Sequence, residues 1–379
     1  MGVKQAGEQH RRSWLAAHLR GEQPTWDEHA LDSVDALWTS AANEGVLSLL
    51  AEKLLSDHSP FDPPVELQMA LSSHARLEVA VELLRREELR RVVAAFEVAA
   101  VPVLLLKGSA LAYSVYPLPH LRPRCDTDLI VADKTAAGRA REALLEIGYD
   151  GDPIPAAGVT SFEASLARVA VSGRMHFLDL HWALVNHSLF AHRFEFDELL
   201  AEAMPLPAIS PGARGLGWAH ALITACSHRA ANMPLKIGDR LIWLYDLHLL
   251  ALKASPADWE HLVSAARLQS VAGPCGAGLR SAMREFSTPV PVAALEELQR
   301  HSRSEPYQMR WAHSRAYLEW HNLRAMPVPL RRTWIREKLL PNKDYMRLLY
   351  PVEHAWDLPL AHMRRLAKGL RLALRTLFS

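Results

Sequence analysis

The sequence predicts an α+β protein: a small mixed β-sheet core flanked by N-terminal and C-terminal helical regions. Three observations carry this. Residues 36–55 and 65–99 place apolar side chains at helical spacing. Between 101 and 182 the pattern changes to short apolar runs bounded by turn residues. From His187 onward helical spacing returns. These shifts divide the chain into a helical region over 1–97, an α/β core over 98–205 and a second helical region over 206–379.

The elements follow in order. A helix over Ala36–Leu55 stops at Pro60-Phe61-Asp62-Pro63-Pro64, and a second runs from Val65 to Ala99. Within it Arg85-Arg86-Glu87-Glu88 and Arg90-Arg91 mix both signs, the pattern of a solvated helix face. Val101 to Leu106 reads as a buried strand leading into the turn Lys107-Gly108-Ser109, behind which Ala110–Tyr113 opens a helix. Tyr116-Pro117-Leu118-Pro119 is a loop. Strands are expected over 127–132, 161–170 and 174–182, with a helix over 134–147 ending at Gly148. Pro205, Pro207 and Pro211 mark the entry to the last region, where 218–229, 240–253 and 256–268 are the clearest helices. No repeat or low-complexity segment occurs.

Composition narrows the function classes. The 379 residues are 49% hydrophobic and 22% charged, ordinary for a globular protein with a sizeable core. A net charge of +1 supplies no global field to gather nucleic acid. Cys125, Cys226 and Cys275 are far apart and odd in number, without metal-binding spacing, which fits a reducing compartment. The polar start of the chain lacks a signal peptide's apolar run, and no stretch approaches the length of a membrane span. The expected location is cytoplasmic. The 19 histidines show no His-Glu-x-x-His helix and no other tight ligand spacing, and the 11 tryptophans are spread through core-type positions.

The chemistry concentrates at Asp126-Thr127-Asp128. On a strand, residues i and i+2 point to the same face, so the two carboxylates converge. Converging carboxylates bind a hard divalent cation, and the Gly108-Ser109 turn offers backbone N–H groups and a hydroxyl to a phosphate. In the run 175–181 the odd-numbered residues share a face, setting Asp179 beside His181; pairing with 127–132 would carry Asp179 to the other acids.

The order strand, Gly-Ser turn, helix, Asp-x-Asp strand resembles the DNA polymerase β-type nucleotidyltransferase superfamily, whose signature is Gly-Ser or Gly-Gly followed by Asp-x-Asp. More narrowly, five segments are similar to the uncharacterised bacterial branch of nucleotidyltransferase-like proteins. They are Leu106-Lys107-Gly108, Arg124-Cys125-Asp126-Thr127-Asp128-Leu129, Gly148-Tyr149, Asp179-Leu180-His181-Trp182 and Trp243-Leu244-Tyr245-Asp246. The similarity extends over roughly residues 30–350. One departure is the gap of 17 positions from Ser109 to Asp126, longer than is usual in the superfamily.

The resemblance implies a nucleotidyltransferase core that moves NMP from an NTP, ATP among them, to a hydroxyl acceptor and releases pyrophosphate. It implies a two-ion Mg²⁺ site on Asp126, Asp128 and Asp179, with Asp179 on the ion that activates the acceptor. Ser109 reads as a phosphate donor, assisted by the N–H groups of Gly108 and Ser109; the alternative is a helix N-cap, which a phosphate-binding serine can also be. Lys107 fits a phosphate contact or an ion pair; Arg124 and Arg122 fit the triphosphate or a carboxylate. His181 stays open between base, ligand, phosphate donor and a hydrogen-bonded support for Asp179.

By analogy with related transferases a helical element after the sheet closes over base and triphosphate; Lys236 or Arg240 suits that contact. Asp246 reads as a buried hydrogen-bond or ion-pair partner. A peptide or protein hydroxyl stands slightly ahead of a small metabolite as acceptor, and nucleic acid is disfavoured. The alternative is a non-catalytic nucleotide-binding or scaffold protein that keeps the fold. Near the C-terminus Arg364, Lys368, Arg371 and Arg375 form one helical stripe, opposite Met363, Leu366, Leu370, Leu374 and Leu377. The expectation is a docked helix with a solvated basic face; an acidic partner is the functional alternative.

Overall fold

A computed structural model describes all residues except 1, 26–32, 57–62, 152–153, 155–160, 342, 344–345, 348–349, 351–353, 355 and 378–379; for 2–5 and 369–377 only the backbone is described. Residues 60–62 of the expected break and the side chains of Leu370, Arg371, Leu374, Arg375 and Leu377 therefore lie outside the described parts.

The chain opens with α1 (Gly2–Leu19), α2 (Val34–Glu44), α3 (Leu47–Leu54) and α4 (Val65–Val98). The single helix expected over 36–55 is two. Gly45 takes a left-handed φ of 74° and its N–H caps α2 on the carbonyls of Ala41 and Ala42, a turn that glycine enters without strain. A Cβ there would stand 2.8 Å from Ile242, so the same residue admits a close neighbour.

α4 spans 34 residues, about 51 Å at 1.5 Å per residue. Its mixed-charge stretch is not simply a solvated face. Glu82 and Glu88 are buried, Arg168 forks onto Glu88, and Arg90 and Arg91 reach the carbonyls of Ile209 and Ile147. Within that stretch Glu88 joins α4 to β4 and Arg90 and Arg91 reach neighbouring carbonyls, while Glu87 and Arg90 keep exposed side chains.

Next come β1 (Leu104–Leu105), α5 (Lys107–Ser114), a 3₁₀ turn over Pro119–Leu121, β2 (Asp126–Ile130), α6 (Lys134–Glu146), β3 (Asp150–Gly151), β4 (Glu163–Val169) and β5 (Met175–His181). β1 is shorter than the apolar run that announced it. Val101 N–H returns to Phe96 O to finish α4, Pro102 has no N–H, and Lys107 ends the strand at φ 47°. α6 is capped by the Asp133 carboxylate at its start and by Gly148 at φ 88° beyond its end. Two helices, α7 (Ser188–Ala191) and α8 (Phe196–Ala201), lead to the hairpin β6 (Met204–Pro205) and β7 (Arg214–Gly215).

The seven strands form one mixed sheet in the order β3-β4-β5-β2-β1-β7-β6. β2 runs parallel to β5 and antiparallel to β1, and β1 parallel to β7. The rest is helical: α9 (Trp218–Asn232), α10 (Leu241–Lys253), α11 (Pro256–Leu268), α12 (Ala272–Phe286), α13 (Val292–Ser302), α14 (Arg315–Ala325), α15 (Val328–Leu339) and α16 (Asp357–Leu377).

One apolar cluster joins Leu15 of α1, Leu50 of α3 and Leu71 of α4 to Leu104 of the sheet and to Leu222 and Leu279 of α9 and α12. A second, between the opposite sheet face, the end of α4 and α6, holds Phe96, Leu105, Leu129, Leu144, Leu178 and Leu180. α16 is tied by buried Ala361 and by Arg365 donating to Lys338 O at 2.6 Å, yet Met363 and Leu366 on its apolar stripe are exposed. No helix among the described residues is long and apolar enough to cross a membrane.

Candidate functional site

Register builds the site. In the parallel β2–β5 ladder Asp128 stands opposite Asp179, and in the antiparallel β4–β5 ladder Ser165 faces Asp179 and Glu163 faces His181. Side chains alternate, so Asp126, Asp128, Asp179, His181, Glu163 and Ser165 share one face. The intervening Leu129, Leu178 and Leu180 fill the second core on the other.

The charges on that face are bound to one another. Lys107 Nζ donates to Asp128 Oδ1 at 2.6 Å, and His181 Nε2 meets the same oxygen at 2.9 Å. Glu163 Oε2 lies 3.2 Å from His181 Nδ1, and Ser165 Oγ donates to Asp179 Oδ1 at 2.6 Å. Burial pushes the Asp128 carboxyl up, but Lys107 and His181 outweigh it and hold it well below the usual carboxylate range. Burial pushes the Lys107 ammonium down, and Asp128 more than restores it. Asp126 is pushed up, first by burial and then by the charges of Asp128 and Asp179. A divalent cation would relieve that repulsion, so this face fits one. Ligand atoms of Asp128, Asp179 and His181 all fall within 4.8 Å of one another. His181 turns Nε2 to the Asp128 carboxylate, which leaves the carboxylates as the oxygen donors a hard ion prefers.

The face opens on a cavity of about 660 Å³, lined among others by Lys107, Gly108, Ser109, Arg124, Asp126, Asp128, Asp179 and Arg240. Gly108 and Ser109 form the first turn of α5, where backbone N–H groups lack helical partners. Ser109 Oγ lies 3.4 Å from the Asp126 carbonyl, and its side chain is buried. Lys107 holds a strained left-handed backbone at this junction.

Both arginines have carboxylate partners. Arg122 grips Asp246 with Nε and Nη2, each at 2.8 Å, and Arg124 donates to Glu82 at 2.8 Å. Arg240 donates to Asn43 O at 2.8 Å and lies over the Trp243 ring. Lys236 is exposed at the end of a 3₁₀ turn and is not among the cavity-lining residues. Sequence reasoning passed over Glu163 and preferred Lys236 or Arg240 to the neighbouring His228 for contact with the nucleotide. His228 is packed edge-on to Trp243 with centroids 4.7 Å apart, and both line the cavity.

Comparison with known families decides what kind of protein carries this site. The pattern of a family described as uncharacterised nucleotidyltransferases matches residues 32–287. The chain belongs to that family. No curated protein matches the chain. The matched span starts before α2 and ends after α12, so it takes in the whole sheet, the cavity and helices from both sides. Membership supports nucleotidyl transfer in general terms, with an NTP as substrate and carboxylates available for a metal.

Proposed function

We propose that the chain is an Mg²⁺-dependent nucleotidyltransferase that moves NMP from an NTP to a hydroxyl on a peptide, protein or small molecule. The observation carrying this reading is the β2–β5 register, which pairs Asp128 with Asp179 on the face that bears Asp126. Asp126, Asp128 and Asp179 are the residues that would hold the metal, which would supply charge neutralisation for the entering and leaving oxygens.

The chain's own groups do the rest. The N–H groups of Gly108 and Ser109 take phosphate oxygens at the start of α5, where the helix dipole favours anions. Lys107, at the cavity wall beside Asp128, supplies a further positive contact to the triphosphate. His181 keeps Asp128 oriented, and Ser165 does the same for Asp179. Asp179 accepts the proton of the acceptor hydroxyl. The acceptor oxygen bonds to the α-phosphorus, the bond from that phosphorus to the bridging oxygen breaks, and pyrophosphate leaves. Arg240 and Trp243 stand at the cavity wall to meet the base.

The first test needs no knowledge of the acceptor. Calorimetry with each of the four NTPs should detect Mg²⁺-dependent binding, and the Asp126→Asn/Asp128→Asn protein should lose it while keeping its circular dichroism. Undiminished binding in that variant would sink the assignment. A second reading, a non-catalytic nucleotide-binding scaffold, is favoured by one observation: Lys107 already occupies Asp128. Metal-dependent release of pyrophosphate in the presence of an acceptor extract excludes it.

A further inference from the structure

Away from the cavity, α8, α9 and α11 bring a second set of metal-ligand side chains together. His220, in the first turn of α9, is 0% exposed, yet neither ring nitrogen has a hydrogen-bond partner. Each nitrogen faces a carboxylate at a longer distance. Glu202 Oε2 lies 3.6 Å from Nδ1 and Glu198 Oε1 lies 3.6 Å from Nε2. His261, from α11, sets its Nδ1 3.3 Å from the same Glu202 oxygen. Ligand atoms of Glu202, His220 and His261 all lie within 4.8 Å of one another.

We propose that Glu202, His220 and His261 bind a transition-metal dication of the Zn²⁺ class, tying the end of α8 to α9 and α11. A tetrahedral ion with bonds of about 2.0–2.1 Å keeps its ligand atoms about 3.3 Å apart. The two measured edges, 3.3 and 3.6 Å, have that size. Glu198 stands on the far side of the His220 ring, where a carboxylate takes the second N–H of a ligating histidine and fixes its orientation. Two imidazoles and one carboxylate select a borderline ion over Mg²⁺. The Glu202 and His261 side chains are 43% and 37% exposed, so an ion enters from solvent and keeps a position for water.

Simple His–Glu ion pairing is the competing account. It leaves Nδ1 of a fully buried ring without a hydrogen bond, at about 1–3 kcal/mol. The backbones are already in place: a Cβ on Gly217, the residue before α9, would come within 2.6 Å of Glu202 O. The ion would brace a helix that carries Thr224 and His228 to the cavity wall.

The full chain, untagged and stripped with a chelator, is titrated with Co²⁺ and followed by its visible d–d absorption. One tetrahedral ion per chain is expected in the natural protein and in Asp126→Asn/Asp128→Asn, and none in His261→Ala or Glu202→Gln. Zn²⁺ should raise the melting temperature of the first two and leave the last two unmoved. Both single variants replace surface side chains, and circular dichroism checks that they fold. Absence of a tetrahedral spectrum, its survival in His261→Ala and Glu202→Gln, or its loss in the double aspartate variant would each overturn the site. Because the double aspartate variant is expected to bind Co²⁺ normally, failure of this proposal and failure of the nucleotide site are told apart.

Discussion

Asp246 accepts from Arg122 Nε and from the Tyr116 hydroxyl on one oxygen and from Arg122 Nη2 on the other, and all three side chains are buried. Removing one member of such a pair strands the other's charge out of water. Asp246→Ala should therefore lose about 3–5 kcal/mol in denaturant unfolding. His228 gives the pH dependence. Burial, with Lys107 close by, holds its ring down to about 3, against an ordinary value of 6.5. Between those values the unfolded chain binds a proton that the folded chain refuses, so stability falls as pH drops from 6.5. For this ring the loss is about 1.4 kcal/mol per pH unit. A flatter dependence of unfolding free energy over that window is expected in His228→Gln.

At this scale the acids were legible, because the period of a strand is local and Asp126, Asp128 and Asp179 announce it. The partners of those acids were not. That Lys107 pairs with Asp128 rather than with solvent follows from φ at one residue and from the β1–β2 pairing, neither of which the local pattern specifies. The same holds for Glu202, His220 and His261, which share no sequence spacing and meet through the packing of three helices.

Among the elements, those bounded by side-chain caps were read closely. α11 starts where expected because Ser255 and Asp258 form a capping box with Pro256 at its first position. β6 and β7 escaped notice. They are two residues each and contain Pro205 and Gly215, which read as loop until a neighbouring edge strand is there to accept them. The split at Gly45 carries a prediction. Gly45→Ala must adopt a left-handed backbone, costing about 1–2 kcal/mol, and its methyl meets Ile242 at 2.8 Å. A larger loss of stability than that backbone figure, partly restored by Ile242→Val, is the expected outcome in thermal melts.

For the molecule as a whole, the sequence predicts helices at both ends but does not reveal that they share a core. Periodicity says which face of a helix is apolar and nothing about which distant helix covers it. Leu15 of α1 and Leu279 of α12 lie in one cluster, with Arg12 donating to Asp239 O and Arg20 to Glu285 O at 2.6 Å each. Leu15→Ala should accordingly cost about 2–5 kcal/mol, and should shift tryptophan fluorescence and far-ultraviolet dichroism transitions by the same amount. Divergent shifts would mean that α1 unfolds on its own.

That long-range docking also sets a timetable for synthesis. Arg20 and Glu285 are separated by 265 positions. A ribosome adding about 5–20 residues per second needs roughly 13 to 53 s to cross that interval. For most of it, Trp14 and Leu15 have emerged but α12 has not been made. Until then α1 has α2 and α3 to pack on, and only the part of its apolar face that meets α12 waits uncovered for tens of seconds, the kind of surface that holding chaperones recognise.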